Sequence, residues 1–408
     1  MTSAMPRSAA ETRPNARPIY LDYQATTPCD PRVVAAMVPW FTEKFGNPHS
    51  LTHAYGREAE QAVEQARAQL ADLIGADPRE LVFTSGATEA NNMAVKGAAR
   101  FHRQFGKDGV VTLATEHKCV LESARVLERD GFRVAILPVG RDGLADLDVV
   151  ARAIDDKTAI VSVMAAHNEI GVLQPIKDIA ALAHAKGALF HTDAAQAVGK
   201  IALDVVDLGV DLMSISGHKI YGPKGIGALY LRRRPRARIE PLFDGGGQER
   251  GMRSGTLPVP LIVGLGQAAG LAKAEMAGEA QRLLALRARF LTGLRAKVPD
   301  VVLNGNAELR LPGNLNLSFP GLKAVDLIAA CPGLALSTGS ACTAAEVEPS
   351  YVLRALGLGE ELASSSLRIG LGRFTTATEV DFAVDTLAAA VPRLRAGDRM
   401  TSHAAGIT

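Results

Sequence analysis

The chain has 408 residues, 47% of them hydrophobic, and a formal net charge of +2. That length exceeds one typical core and predicts two domains, and the near-neutral balance gives no reason to invoke nucleic acid. The cysteines Cys29, Cys119, Cys331 and Cys342 form no C-x-x-C pair and no cluster at metal spacing, so neither a disulfide framework nor a metal site is expected.

Residues 1–18 are rich in Ser, Ala, Arg and Pro and read as a disordered tail without the apolar segment of a secretory signal. No apolar run is long enough to span a bilayer, so a soluble cytoplasmic protein is expected. Ile19 to Asp22 reads as a short strand, followed by a turn at Ala25 to Pro28. Arg57 to Ile74 carries Ala59, Val63, Ala66, Leu70 and Leu73 at helical spacing and stops at Gly75, a suitable C′ glycine.

From Gly75 to Leu231, short β-rich runs alternate with helical stretches, which predicts parallel βαβ units. The expected strands are Leu81–Thr84, Val110–Leu113, Val134–Leu137, Ala159–Met164, Ala188–Thr192, Leu212–Ser216 and Gly227–Leu231. In an open α/β sheet ligands bind beyond the carboxyl ends of the strands, so the residues just after each run carry the functional information. Those residues are Ser85-Gly86-Ala87-Thr88, Glu116-His117, His167-Asn168-Glu169, Asp193 with Gln196, and His218-Lys219. One polar group at such a place is ordinary, whereas convergence from five strand ends is the signature of a small-molecule site.

Ser85 to Glu89 opens a helix and offers backbone N–H groups and hydroxyls to a phosphate. A plain Ser or Thr N-cap with Glu89 as its capping-box partner explains the stretch equally well. Lys219 follows a buried strand and the turn at Gly217, a setting for an amine nucleophile, although a lone lysine after a strand is more commonly a surface residue. Asp193 can pair with a protonated ring nitrogen, and His117 can stack on a flat ring or move protons. A phosphate cradle, an acid for a pyridinium and an amine for a carbonyl together describe pyridoxal phosphate.

Beyond Leu231 the basic run Arg232 to Arg238 reads as a solvated positive face, and Gly245-Gly246-Gly247 begins a glycine-rich loop. Leu283, Leu286, Phe290 and Leu294 mark a helix that starts a second region of smaller α+β type. Its strands lie at Leu315 to Phe319 and Leu367 to Leu371, and its last helix carries Val380 to Val391. Between the strands, small residues around Cys342 predict a mobile exposed loop with a reactive thiol, and Arg368 offers a planar fork for a substrate carboxylate. The other three cysteines read as small buried hydrophobes.

Four stretches together resemble the cysteine desulfurases of the IscS/NifS type, within the class V aminotransferase superfamily of fold-type I pyridoxal-phosphate enzymes. They are Leu21 to Pro28, Thr84 to Glu89, Ser216 to Lys219 and Gly339 to Thr343, and the likeness runs from about Tyr20 to Leu394. The resemblance implies an α/β fold: a large cofactor domain over residues 30–277 with a mostly parallel sheet, and a small domain of residues 19–29 with 278–408. It implies pyridoxal 5'-phosphate as cofactor, with Lys219 as its covalent anchor, Asp193 at the pyridine nitrogen, Gln196 at the ring hydroxyl and His117 stacked on the ring. Ala87, Thr88, Ser216 and His218 would surround the phosphate, joined by Thr256 from the second subunit of a homodimer.

Asn168 and Arg368 would hold the carboxylate of L-cysteine, Asn168 also meeting the cofactor, and Cys342 would take the sulfur as a persulfide. The sulfur would pass to an acceptor such as an iron–sulfur scaffold or a sulfur-relay protein, for cluster assembly or tRNA thiolation. Two other readings stay open on sequence: another pyridoxal-phosphate lyase or aminotransferase, including a selenocysteine lyase, and an inactive scaffold for sulfur-transfer partners.

Overall fold

The computed structural model describes residues 17–339 and 349–397. Its main sheet has seven strands: β2 (Leu81–Thr84), β3 (Gly109–Leu113), β4 (Arg133–Leu137), β5 (Thr158–Ser162), β6 (Leu189–Asp193), β7 (Leu212–Ser216) and β8 (Gly227–Leu231). Their spatial order is β2-β8-β7-β6-β5-β3-β4. Pairing is parallel from β7 through β4, as the alternation of strands and helices predicts. Strands β3, β5 and β7 are buried at every residue, which suits a parallel sheet covered by helices on both faces.

The sheet is mostly parallel, as expected, and its antiparallel member is β8, which runs against both β7 and β2. Only residues 217–226 link β7 to β8, and a parallel crossover needs a dozen or more residues, so the chain turns back. Because β2 and β7 both run against β8, they run in the same direction as each other. The carboxyl ends of β2, β3, β5, β6 and β7 therefore open on one edge.

Helices flank this sheet, with α1 (Pro31–Met37), α2 (Pro39–Thr42) and α3 (Ala54–Ile74) ahead of it. Then α4 (Ala87–Arg103), α5 (Lys118–Arg129), α6 (Leu147–Ala153) and α7 (Ile176–Ala185) alternate with the strands. Helix α3 ends at Gly75, whose φ of 70° is the left-handed value that glycine adopts without strain. The helix marked by Leu283, Leu286, Phe290 and Leu294 does not begin the second region but continues from the first: all four lie inside α8 (Val259–Lys297), a single helix of 39 residues. Gly264, Gly266 and Gly270 weaken the local helical signal, and tertiary packing overrides it. A Cβ at Gly266 would stand 2.5 Å from the Ala66 backbone on α3, so glycine is what lets the two helices approach.

Helix α8 connects two cores. Its first half places Ile262, Leu265 and Ala269 in the cluster under the main sheet, and its second half places Leu286, Phe290 and Leu294 in another. The second cluster includes β10 (Asn314–Ser318), which pairs antiparallel with both β9 (Val302–Leu303) and β12 (Ser366–Gly370). It also takes in α9 (Ala324–Ala329) and α12 (Ala377–Arg395), while α10 (Tyr351–Ala355) helps form a smaller cluster and α11 (Glu360–Ser364) follows it. Near the N-terminus, β1 (Ile19–Tyr20) pairs in parallel with β11 (Leu334–Ala335). Leu21 thus belongs to the second core and Val33 to the first, so the chain crosses between them at residues 22–32. Among the described residues no helix is long and apolar enough to cross a membrane.

Candidate active site

A cavity of about 540 Å³ lies at the sheet edge where the strand ends open, a volume suited to a small molecule. At the end of β2, Gly86 precedes α4 with no side chain capping the helix. The capping box expected from Ser85 or Thr88 with Glu89 is therefore absent. Glu89 instead accepts the Ser85 N–H at 2.8 Å and pairs with Arg253 at 2.9 Å. The positive end of a helix dipole thus faces the cavity with Ala87 and Thr88 on its rim.

After β3, His117 caps α5 and its Nδ1 accepts the Cys119 N–H at 3.2 Å, with the Cys119 Sγ 3.0 Å away. An acceptor Nδ1 leaves the ring proton on Nε2. Burial lowers the pKa of His117, against the opposing charge of Asp193, so the imidazole is neutral.

Of the three polar residues after β5, only Asn168 lines the cavity. His167 turns inward, with Nε2 2.7 Å from the Thr115 carbonyl and Nδ1 accepting the Glu169 N–H, and burial pushes its pKa down to about 4. Glu169 is buried against Ser350, whose hydroxyl donates to it at 2.6 Å. Glu116 is also enclosed, accepting the Met164 N–H at 2.7 Å, and burial raises its pKa well above the carboxylate range. The sequence shows which residues follow a strand, but not which way each side chain turns.

Asp193 closes β6, accepting the Ala195 N–H at 2.9 Å and the Asn91 amide at 2.7 Å, and it is 5% exposed. Gln196 donates from Nε2 to the Gln24 carbonyl at 2.8 Å. After β7, His218 Nδ1 lies 3.0 Å from the Thr26 hydroxyl, and burial, aided by the charge of Lys219, pushes its pKa down to about 4. Lys219 Nζ donates to the Gln24 carbonyl and, at 2.8 Å, to that of Ala25. The Gln24–Thr27 segment thus folds over the strand ends.

Arg368 reaches the same cavity from β12. Its guanidinium meets Asp22 at 2.7 Å and the Asn168 carbonyl at 3.2 Å, while its buried Nε has no hydrogen-bond partner among the described residues. That open N–H suits an anionic guest.

Ala87, Thr88, His117, Asn168, Asp193, Gln196, Ser216, His218, Lys219 and Arg368 therefore line one cavity. Thr256 stands outside it and is exposed. Cys342 lies outside the described residues, but Gly339, ahead of it, lines the cavity, and Ser350, after it, is held by Glu169. Cys119, read from sequence as core, borders the cavity two residues beyond His117. Gln24 and Asn91 were also missed as site residues. Gln24 sits inside the Leu21–Pro28 motif, whereas Asn91, which holds Asp193, carries no signal beyond being a buried polar residue on a helix.

A model of the family described as "Aminotransferase class-V" matches residues 19–382. The chain belongs to the class-V aminotransferase family. Among its relatives, "Cysteine desulfurase IscS" of Rickettsia rickettsii (strain Iowa) is 56% identical over 379 residues, 93% of this chain and 92% of the relative. "Cysteine desulfurase" of Homo sapiens is 56% identical over 396 residues, 96% and 86% of the two chains. A solved "NIFS-LIKE PROTEIN" superposes with a TM-score of 0.85 at 36% identity, covering 92% of this chain and 99% of that one. This class-V aminotransferase thus falls among the cysteine desulfurases, in a fold whose cofactor is pyridoxal phosphate.

The residues present fit that cofactor. The cavity combines an amine, a buried carboxylate, a neutral imidazole and an uncapped helix terminus with two hydroxyls, from Thr88 and Ser216. Together they match a ring nitrogen, a flat ring face, a carbonyl carbon and a phosphate.

Proposed function

We propose that this desulfurase converts L-cysteine to L-alanine and leaves the sulfur as a persulfide on Cys342, for transfer to an acceptor thiol. The observation that carries the reading is the meeting of Lys219, Asp193 and the open-ended Arg368 in one cavity with Gly339, three residues before Cys342, on its wall. Bound pyridoxal phosphate supplies an electron-withdrawing ring that weakens bonds in an amino acid attached to it.

The chain's own residues do the rest. Lys219 would anchor the cofactor through its amine, and Asp193, held by Asn91, would receive the pyridine N–H. Gln196 would meet the ring hydroxyl and His117 would cover the ring face, its Nε2–H available to move a proton. Ala87, Thr88, Ser216 and His218, with the uncapped α4 terminus, would bind the phosphate, and Thr256 would complete that set from the second subunit of a homodimer. Arg368 and Asn168 hold the substrate carboxylate. The Cys342 thiol bonds to the substrate sulfur as the carbon–sulfur bond breaks, and its proton balances the alanine released. One thiol and one cysteine thus give one persulfide and one alanine.

The acceptor is an iron–sulfur scaffold or sulfur-relay protein, serving cluster assembly or tRNA thiolation in the cytoplasm. We divide the chain into a large domain, 30–277, and a small one of 19–29 with 278–408, a boundary supported by the two separate cores. Dimer formation is supported by the exposed Val38, Phe41, Phe45 and Tyr55, an apolar surface fit for a partner. The test is to incubate the purified protein with L-cysteine and examine the Cys342 peptide by mass spectrometry. One added sulfur is expected; alanine formation without that label would overturn the persulfide route.

A further inference from the structure

One amine near the cavity has no part in the chemistry above. Lys200 donates from Nζ to the Oε1 of Gln196 at 3.0 Å. The other end of that amide, Nε2, donates to the Gln24 carbonyl at 2.8 Å. A peptide carbonyl can only accept, so Nε2 must face Gln24 and Oε1 must face Lys200. Nε2 carries two hydrogens, and Gln24 takes one. The second belongs to a side chain that lines the active-site cavity.

Lys200 is half-buried. It borders a separate void of about 20 Å³ with Tyr23, Tyr221 and Glu279, too small for a ligand. Burial, then repulsion from Lys219, pushes its pKa down to about 7, with Glu279 acting in the opposite sense and Arg368 adding to the repulsion. A lysine held at that cost has a specific partner, and the partner in reach is the Gln196 oxygen.

We propose that Lys200 is a positioning residue: by occupying the Gln196 oxygen it fixes that amide with its second N–H facing the ring oxygen of pyridoxal phosphate. This rests on the cofactor assignment given above. It predicts that Gln196 without Lys200 keeps its place and its bond to the Gln24 carbonyl but loses the second of its two restraints, because Oε1 is then left without a donor.

The experiment compares Lys200→Met, Lys200→Arg and Gln196→Met with the wild type, by titrating apoenzyme with pyridoxal phosphate and recording the visible absorbance of each holoenzyme. Lys200→Met should raise the dissociation constant about 5- to 20-fold, the size of one buried hydrogen bond, and shift the absorbance band. Lys200→Arg, which still donates to Oε1, should restore both. In a Gln196→Met background, adding Lys200→Met should change affinity less than about twofold, because the coupling runs through the amide.

Wild-type affinity in Lys200→Met, or an equal loss with and without Gln196, would overturn the proposal. The sulfur label on Cys342 decides the broader reading separately: at saturating pyridoxal phosphate the Lys200→Met enzyme should still carry it.

Discussion

His191 offers a measurable link between burial and pH. Its ring joins three strands of the main sheet, with Nδ1 2.8 Å from the Ser162 hydroxyl and Nε2 3.0 Å from that of Ser214, and it is fully buried. Burial pushes its pKa from 6.5 down to about 3. Between those values the unfolded chain holds a proton on this histidine and the folded chain does not, so stability falls as pH falls below 6.5. Each pH unit is worth about 1.4 kcal/mol, or about 2 kcal/mol by pH 5.

Other buried groups titrate too, His167 in the same sense and Glu116 in the opposite one. Glu116, whose pKa is raised, gains stability on acidification, so the wild type alone cannot isolate the histidine. His191→Gln keeps a donor and an acceptor for the two serines and removes the titration. Urea unfolding of both proteins, saturated with pyridoxal phosphate, at about pH 7 and about pH 5 gives two stability gaps. The gap should shift by about 2 kcal/mol in favour of the variant at the lower pH. A gap constant within about 0.5 kcal/mol would refute the reasoning, because a neutral buried imidazole cannot avoid this linkage.

Glu249 pairs with Arg67 at 2.7 Å, both side chains almost fully buried, and also accepts the Phe83 N–H at 2.7 Å. Glu249→Ala should cost about 3–5 kcal/mol in urea unfolding by removing the buried partner of Arg67 and leaving it one carboxylate, the half-exposed Glu64 at 2.9 Å, whereas Asp381→Ala, which breaks the exposed pair with Arg289, should cost under about 1 kcal/mol. Equal losses would contradict the burial argument. Cys119 borders the cavity, but burial and the charge of Asp193 push its thiol up to about 12, so it remains protonated and unreactive. Cys119→Ala should therefore leave the sulfur label on Cys342 and change turnover less than about threefold; loss of the label would show that the thiol takes part.

Much of the fold was legible in the chain. The runs at 81–84, 212–216 and 227–231 are strands with the expected limits, because continuous apolar stretches bounded by Gly and polar residues carry a strong local signal. The unity of α8 was not legible, since its glycines weaken helix propensity and the contact with Ala66 that explains Gly266 comes from a distant segment. The site was read residue by residue from strand ends, which is why Asp193, His117 and Lys219 were found and Asn91 and Cys119 were not. Neither missed residue follows a strand; Cys119 reaches the site from the first turn of α5 and Asn91 from the second turn of α4.

The order of residues alone determined which chemical groups exist and where strands stop, because side-chain identity and hydrophobic period are local properties. Tertiary structure decided the direction of β8, the inward turn of His167 and Glu169, and the single orientation open to the Gln196 amide. It also set Asp22 against Arg368 across 346 positions of sequence. Such pairings are selected by the satisfaction of buried polar groups in a packed interior, a condition that exists only once distant segments have met.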